Sequence, residues 1–277
     1  TKSAINNLRV YQELKLSVVI VDNSSYSNEA LIGENKLTNY LPLNNNYGIA
    51  KAQNLGIKHL KEIGMDSILF LDQDSLMENS STLDLIVHFR RLILKNIKLG
   101  GIGPQPFNGF IKKNYNPKLT IGKEFLKDFI ETVDLISSGS LIPVELFEEI
   151  GYFEENLFID GVDHEWCWRS RSKGYRFFKV KSIKLIHHLG EGDRHILGYP
   201  VAIPSPIRTY YQYRNYIRLV QRNYVPFRWK IINFVKYLIK IPYYTIFING
   251  RLKYLKYILI GIAHGLFNDK KIKFNDK

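Results

Sequence analysis

Two hydrophobic patterns alternate along the first half of the chain. Apolar runs closed by turn-forming polar residues stand at 17–25 (SVVIVDNSS) and 67–75 (SILFLDQDS), as strands buried in a parallel sheet read. Between them, residues 48–64 (GIAKAQNLGIKHLKEIG) set Ile49, Ala52, Leu55 or Gly56, His59 or Leu60, and Ile63 along one side at helical spacing. Residues 81–96 (STLDLIVHFRRLILKN) repeat the helical period, with Ser81 or Thr82 as the cap, and 100–106 (GGIGPQP) read as a strand end and a turn. The rhythm predicts an α/β fold: a Rossmann-like, mostly parallel sheet with right-handed crossovers, flanked by helices.

After Pro206 the pattern changes to Tyr, Lys, Arg and long aliphatic residues. This predicts an α/β domain over 1–205 and a basic, aromatic-rich helical region over 206–277. Around 229–241, Lys230, Lys236 and Lys240 fall near one helical face, and Ile231, Phe234, Leu238 and Ile241 near another, with Phe227 and Trp229 at the start. Two readings stand side by side: a helix lying in the interface of an anionic membrane leaflet, or one packing its apolar face on the main domain.

Composition narrows the choices. The 277 residues, 45% of them apolar, suffice for one large domain or a domain with an appendage, and exclude disorder. The single cysteine, Cys167, rules out an intrachain disulfide and permits a reducing compartment. A net charge of +13 favours anionic partners, nucleic acid, nucleotides or an acidic membrane surface, or is simply a lysine-rich surface. No signal peptide is visible and no uncharged apolar run nears the ~20 residues that span a bilayer. The chain opens at Thr1 rather than Met, as a start further upstream would leave it.

Three predicted strand ends carry polar clusters: Asp22-Asn23-Ser24-Ser25, Asp72-Gln73-Asp74-Ser75 and Ser137-Ser138-Gly139-Ser140. Ligands of open α/β sheets bind beyond such ends. Asp72 and Asp74, two apart, address one side of an extended chain. Two hard oxygen donors suit Mg²⁺ or Mn²⁺, which commonly also holds substrate phosphates; alone, the pair is equally an Asx-type turn. Small or amide residues recur at Asn46, Gly48, Ala50, Ala52, Asn54 and Gly56, where a backbone could approach a flat ligand. Glu165 and Arg169, four apart, read as a structural ion pair. Trp166 and Trp168 fit either a sugar platform or core packing, Asp163 is equally a helix N-cap, and Cys167 reads as buried filler.

The blocks IVDNSS, NNNYGIAKAQNLGI, ILFLDQDS, SSGSLIP, FIDGVDHEWCWRSRSKGY and HHLGE resemble, in order and spacing, those of inverting glycosyltransferases of family 2 type with the GT-A fold. LDQDS and the later SPIRTYYQYRNYIRL are most similar to the bacterial rhamnosyltransferases. The resemblance covers nearly the whole chain. It implies that Asp22 contacts the nucleotide base, that Gly48, Asn54 and Gln73 lie on the nucleotide-sugar side, and that Asp72 serves ribose and metal. It further implies that Asp74 serves metal and diphosphate, and that His187, with His188 as an adjacent rival, completes the metal shell. Ser138, Gly139, Asp160 and Trp166 fall on the acceptor or sugar side, and Asp163 matches the general base. The family often has Glu where this chain has Val162, and FIDGVD supplies Asp160 instead. The family's opening V-x-Y-N strand has no counterpart here; 1–15 resemble the helix that comes after it, which leaves an incomplete nucleotide pocket and an exposed sheet position.

The resemblance implies a metal-dependent enzyme that moves a sugar from a nucleoside-diphosphate donor to a hydroxyl of a glycan or lipid-linked glycan. The expected donor is dTDP-rhamnose and the expected product a bacterial surface or cell-wall polysaccharide. The enzyme would be cytoplasmic, or peripheral on the inner face of the cell membrane, with no nucleic-acid partner. Galactofuranose or an N-acetylhexosamine as the donor sugar, or a non-catalytic basic module binding membrane or nucleic acid, are the rival readings.

Overall fold

A computed structural model of the chain describes residues 8, 11–32, 36–73, 75, 77–108, 113–114, 122–187, 194–196, 199–201 and 203–267. The chain divides into two compact units, Thr1–Phe158 with Val162–Glu191, and Ile159–Gly161 with Gly192–Lys277.

In the first unit, β1 (Val18–Asp22) pairs in parallel with β2 (Thr38–Pro42). Helix α1 (Ile49–Glu62) follows, then β3 (Ser67–Leu69), α2 (Asn79–Ile93) and the long strand β4 (Leu99–Asn108). Strands β5 (Lys113–Asn114), β6 (Lys123–Phe125), β7 (Phe129–Thr132) and β8 (Leu141–Pro143) lead to the short helix α3 (Leu146–Glu149). Helix α4 (Val162–Ser172) and β9 (Arg176–His187) complete the unit. The larger sheet runs in the order β3-β8-β4-β9-β7-β6, with β5 on β4.

β4 and β9 are parallel, and β3 points the same way, because each of β3 and β4 is antiparallel to β8. Parallel pairing therefore joins β1 to β2, a separate two-stranded sheet, and β4 to β9, with β3 running in the direction of β4. The hydrophobic pattern does not reveal the antiparallel β8 wedged between β3 and β4, nor the antiparallel β6–β7 hairpin that pairs with β9. Met77, Leu85, Phe89, Leu92, Ile102, Phe129 and Phe178 form the core between α2 and this sheet.

Three local expectations change. The GGIGPQP segment lies inside β4, not in a turn; register shifts at Leu99/Gly101 and Pro104/Gln105 absorb its glycines and prolines. Helix α2 starts at Asn79, one turn earlier than predicted, and Thr82 donates its hydroxyl back to the Glu78 carbonyl instead of capping. Helix α1 buries Ala50, Ala52, Asn54, Gly56 and Ile57, while Ile63 is exposed. Small residues and Ile57 mark its packed side, where Ala50, Ala52 and Gly56 let the helix pack closely.

The second unit carries the hairpin β10 (Arg194–Ile196) and β11 (Tyr199–Val201), then α5 (Pro206–Val220), α6 (Phe227–Phe247) and α7 (Arg251–Phe267). Ser205 caps α5 through the Arg208 N–H, with Pro206 at the first turn. Tyr213, Tyr244, Ile248, Tyr254 and Ile258 form a separate core, joined by Tyr237 and Ile241. Among the described residues no helix is long and apolar enough to cross a membrane.

Candidate active site

The pairing of β3 with β8 assembles the site. Because β8 is antiparallel, its N-terminal turn Ser137–Ser140 lies at the same sheet edge as the C-terminal end of β3. Hydrogen bonds continue the pairing past the strands: the Phe70 N–H donates to the Ser140 carbonyl at 2.9 Å and the Gly139 N–H to the Phe70 carbonyl at 2.7 Å. The Asp72 N–H then donates to Ser138 Oγ at 3.3 Å. Gly139 adopts φ +83°, and a Cβ there would stand 2.7 Å from the Pro104 ring, so the turn demands glycine twice over.

Asp163, in the first turn of α4, reaches the same turn. Its Oδ2 accepts the Ser137 N–H at 3.0 Å and its Oδ1 accepts the His164 N–H at 2.9 Å. The structure thus brings Asp72, Ser138, Gly139 and Asp163 together around four residues of backbone. Gln73 is exposed in the turn after β3. Asp74 and His188 lie outside the described residues, and of His187 only the backbone is described, at the end of β9. Among the described residues no group of three His, Cys, Asp or Glu side chains is arranged to hold a metal ion. The two carboxylates named by the sequence are hard oxygen donors that fit Mg²⁺ or Mn²⁺, with one imidazole as a borderline third, and Asp72 stands at the end of β3.

Asp22 ends β1 and organises the loop behind it. Its carboxylate accepts from the Ser24 N–H at 3.1 Å and the Asn28 side-chain amide at 2.8 Å, and from the hydroxyls of Ser24 and Tyr40. Burial alone would raise its pKa; these donors outweigh burial and hold the carboxyl well below the usual range. Asn23 ties this loop to the start of α1, accepting the Tyr47 N–H at 2.8 Å and donating to Asn46 at 3.1 Å. Gly48, the N-cap of α1, has φ +87°, and a Cβ would meet the Phe158 ring at 2.6 Å. Asn54 points into the protein: its amide donates to the Phe153 carbonyl at 2.9 Å and to Glu155 at 3.1 Å, and its oxygen accepts the Phe153 N–H at 3.0 Å. It clasps the segment leading to α4 and turns no polar group outward.

Trp166 requires a correction. It is fully buried, stacked on Phe147 at 4.8 Å between ring centroids, and its indole N–H donates to the Gly151 carbonyl at 2.8 Å. No face remains to floor a sugar. Trp168 is buried as well and donates to Asp134 at 3.1 Å. Glu165 and Arg169 pair at 2.9 Å, and Arg169 also donates to the carbonyls of Ile150 and Tyr152 at 2.7 and 2.8 Å. Cys167 is buried, which pushes its thiol pKa up.

One group near Asp163 has no signal in the sequence. His164 Nδ1 lies 3.2 Å from the buried Asp134 carboxylate, with its ring stacked on Trp168. Burial opposes its protonation, but the carboxylates of Asp134 and Asp163 raise its pKa to about 9. Burial would raise Asp134, yet His164, Lys179 and Trp168 bring it below the usual range. Lys179 is buried beside them and lowered by that burial. Three sequence-distant elements supply this cluster, so no motif announces it. Gln105 is a second omission: its buried Oε1 has no hydrogen-bond partner among the described residues, although it stands next to Pro104 in β4.

In the second unit, Asp160 pairs with Arg208, whose Nη2 and Nε donate at 2.8 and 3.1 Å. The Asn215 amide holds the carbonyls of Ile159 and Asp160 at 2.7 and 3.0 Å.

An α/β sheet whose strand ends gather acidic and small polar residues has the arrangement of a ligand site beyond the carboxyl ends of its strands. Residues 1–151 match the family described as Glycosyl transferase family 2. The chain is 31% identical over 265 residues to the dTDP-rhamnosyl transferase RfbF of Shigella flexneri, covering 92% of this chain and 88% of that protein. It is 23% identical over 277 residues to the low-salt glycan biosynthesis hexosyltransferase Agl10 of Haloferax volcanii, covering 90% and 82%. Two solved structures share the fold. GalNAc-T7, crystallised with UDP, GalNAc and Mn²⁺, aligns with a TM-score of 0.51 at 15% identity over 77% of this chain and 43% of its own. Residues 1–349 of S. aureus TarS with UDP-GlcNAc give a TM-score of 0.51 at 18% identity over 80% and 64%. The chain spans less than two thirds of either structure. This chain belongs to glycosyl transferase family 2 and is a glycosyltransferase. The rival of a non-catalytic binding module falls with that result.

Proposed function

We propose that this chain transfers rhamnose from dTDP-rhamnose to a hydroxyl of a surface glycan, inverting the anomeric centre, with Asp163 as general base. The observation that carries it is the Asp163 carboxylate fixed on the Ser137–Ser140 turn, the same turn that holds Asp72 at the end of β3. Similarity to a protein named for dTDP-rhamnose supports the donor.

An acceptor hydroxyl is almost wholly un-ionised at neutral pH, so a positioned carboxylate must take its proton as the oxygen attacks. Two backbone N–H groups orient Asp163 for that task. The new bond forms between the acceptor oxygen and the anomeric carbon as the bond from that carbon to the diphosphate breaks, and attack from the opposite face inverts the centre. A divalent cation held by Asp72, Asp74 and His187 would neutralise charge on the departing diphosphate. Asp22 and Asn23 shape the loop on the nucleotide side; Gly48 lets α1 begin against Phe158.

The acceptor reading extends to the membrane. On α6 the exposed apolar residues Phe227, Ile231, Phe234, Val235, Leu238 and Ile246 form one stripe, and α7 exposes Leu252, Leu259, Leu266 and Phe267. No Asp or Glu occurs from 206 to 268. An apolar stripe flanked by cations fits the interface of an anionic leaflet, where a lipid-linked acceptor would be met.

The test is transfer screened over dTDP-rhamnose, UDP-galactofuranose and UDP-N-acetylhexosamines. Turnover with dTDP-rhamnose is expected; turnover with UDP-sugars alone overturns the donor.

A further inference from the structure

We infer that Arg208, Lys236 and Lys240 form a binding site for a phosphate-bearing anion, a diphosphate in particular, with Asp160 as the residue that positions the guanidinium. The site deepens the acceptor side of the proposed reaction and rests on that reading for its occupant alone.

The charge of the second unit is one-sided. Asp160 is the sole Asp or Glu among its described residues, which include more than ten Lys and Arg. Arg208 uses Nε and Nη2 on that carboxylate, while its Nη1 donates to nothing among the described residues. Arg208 is 51% exposed, so the fork remains open to a ligand. Asp160 itself is fixed: its backbone sits at φ +62° and its carbonyl accepts from Asn215.

Lys236 and Lys240 stand one turn apart on α6, on the side between its exposed apolar stripe and its packed side. Neither has an ion pair or a hydrogen bond among the described residues, and Lys240 Nζ lies 5.6 Å and 5.8 Å from the ring centroids of Tyr237 and Tyr244. The Tyr213 hydroxyl donates to the Tyr237 carbonyl at 2.8 Å, which sets this part of α6 beside α5, the helix that carries Arg208; Asp160 acts electrostatically on both lysines, and Arg208 on Lys240. Burial and the repulsion of Lys236 and Arg208, opposed by Asp160, bring Lys240 down to about 8. Arg208 thus contacts the carboxylate of Asp160, and two lysines without an ion pair among the described residues stand on the neighbouring helix. Such an excess of positive charge is relieved by an added anion with several acceptor oxygens. A diphosphate offers enough oxygens for the free Arg donors and both ammonium groups at once. The neighbouring apolar stripe of α6 suits a ligand that continues into hydrocarbon, so a diphosphate borne on an isoprenoid chain matches both halves of the surface.

The test measures binding on the full chain with chelator and saturating dTDP present, so that the donor side does not contribute. The probes are inorganic pyrophosphate, farnesyl diphosphate in neutral detergent, and phosphatidylglycerol vesicles. The proposal expects both diphosphates to bind, and the double variant Lys236→Gln/Lys240→Gln to weaken them about tenfold or more. Lys253→Gln, a control for charge loss elsewhere, should leave them unchanged, with thermal unfolding confirming that each variant folds. Tighter binding of farnesyl diphosphate than of pyrophosphate assigns the site to a lipid-borne diphosphate; equal binding assigns it to a free one. Absence of diphosphate binding, an unaffected double variant, an equal loss in Lys253→Gln, or binding to the vesicles alone overturns the site. No turnover enters these measurements, so failure of rhamnosyl transfer leaves them standing, and their failure leaves Asp163 untouched.

Discussion

Replacing Asp163 by Asn tests the centre of the proposed chemistry, and the structure sets two separate magnitudes for it. The kinetic one comes from losing the proton acceptor. Removing a general base costs on the order of 10²-fold in turnover or more, which is about 2.7 kcal/mol or more of transition-state stabilisation. The structural one comes from the two backbone donors. Both carboxylate oxygens accept an N–H, from Ser137 at 3.0 Å and from His164 at 2.9 Å. Asn supplies one oxygen and one NH₂, so one N–H must face another donor, at a cost of roughly 1–3 kcal/mol. For a unit of this size each kcal/mol lowers Tm by about 2–4 °C, so the variant should melt several degrees early. Its kcat, measured at saturating donor and acceptor well below that Tm, should nevertheless be down by about 100-fold or more, with dTDP affinity little changed. Asp160→Asn should cost less turnover, because that carboxylate is engaged with Arg208. A folded Asp163→Asn variant that turns over within about threefold of the parent would refute the assignment of the base.

Chelation should abolish transfer and Mg²⁺ or Mn²⁺ should restore it, with Asp72→Ala losing metal-dependent dTDP binding by calorimetry; full activity in excess chelator sinks the metal role. The His164–Asp134 pair makes stability pH-dependent in a defined direction. His164 keeps its proton in the folded chain up to about 9, against about 6.5 when unfolded, so its contribution is complete below about 6.5 and is lost as pH rises toward 9. Denaturant midpoints should fall across that window, and a slope unchanged in His164→Gln removes the explanation. Asn54→Ala should cost about 2–4 kcal/mol by urea unfolding, since it strands the Phe153 N–H and carbonyl; a loss under about 0.5 kcal/mol contradicts the clasp. Flotation with anionic vesicles at low salt should carry the chain and high salt should weaken it, and no binding at low salt excludes the membrane contact.

The elements legible in the sequence are those whose signal is local. α1 and β3 fall within a few residues of their predicted bounds, because Gly48, Gly64 and the Asp72 turn punctuate them. Hydrophobic spacing places the packed side of α1 only in part: Ala52 and Gly56 lie on it as predicted, while Ala50, Asn54 and Ile57 fall outside the predicted side and Ile63 is exposed. An antiparallel β8 is invisible in sequence: LIP carries no mark of direction, and only pairing with β3 and β4 fixes it. The roles of Trp166 and Trp168 could not be separated from spacing, as burial is set by α3 and by Asp134, far away in the chain. Likewise the partners of His164 come from β9 and from the segment before Ser137, so no short-range pattern could link them.

The direction of β8 also explains why a weak sequence motif becomes a site. A parallel strand there would send residues 137–140 to the opposite edge, away from Asp72. Running antiparallel, β8 sets its leading turn beside the end of β3, where the Phe70 backbone and the Asp72 N–H grip it. Asp163 then takes its position from the same turn through the Ser137 N–H. One four-residue turn therefore fixes the Asp72 backbone and the Asp163 carboxylate relative to each other, independent of the longer loops. The Pro104 ring beneath Gly139 limits how far that turn can move. Pre-organisation of this kind is what displacement at a sugar carbon requires, because a base misplaced by about 1 Å can lose on the order of 10²-fold in rate.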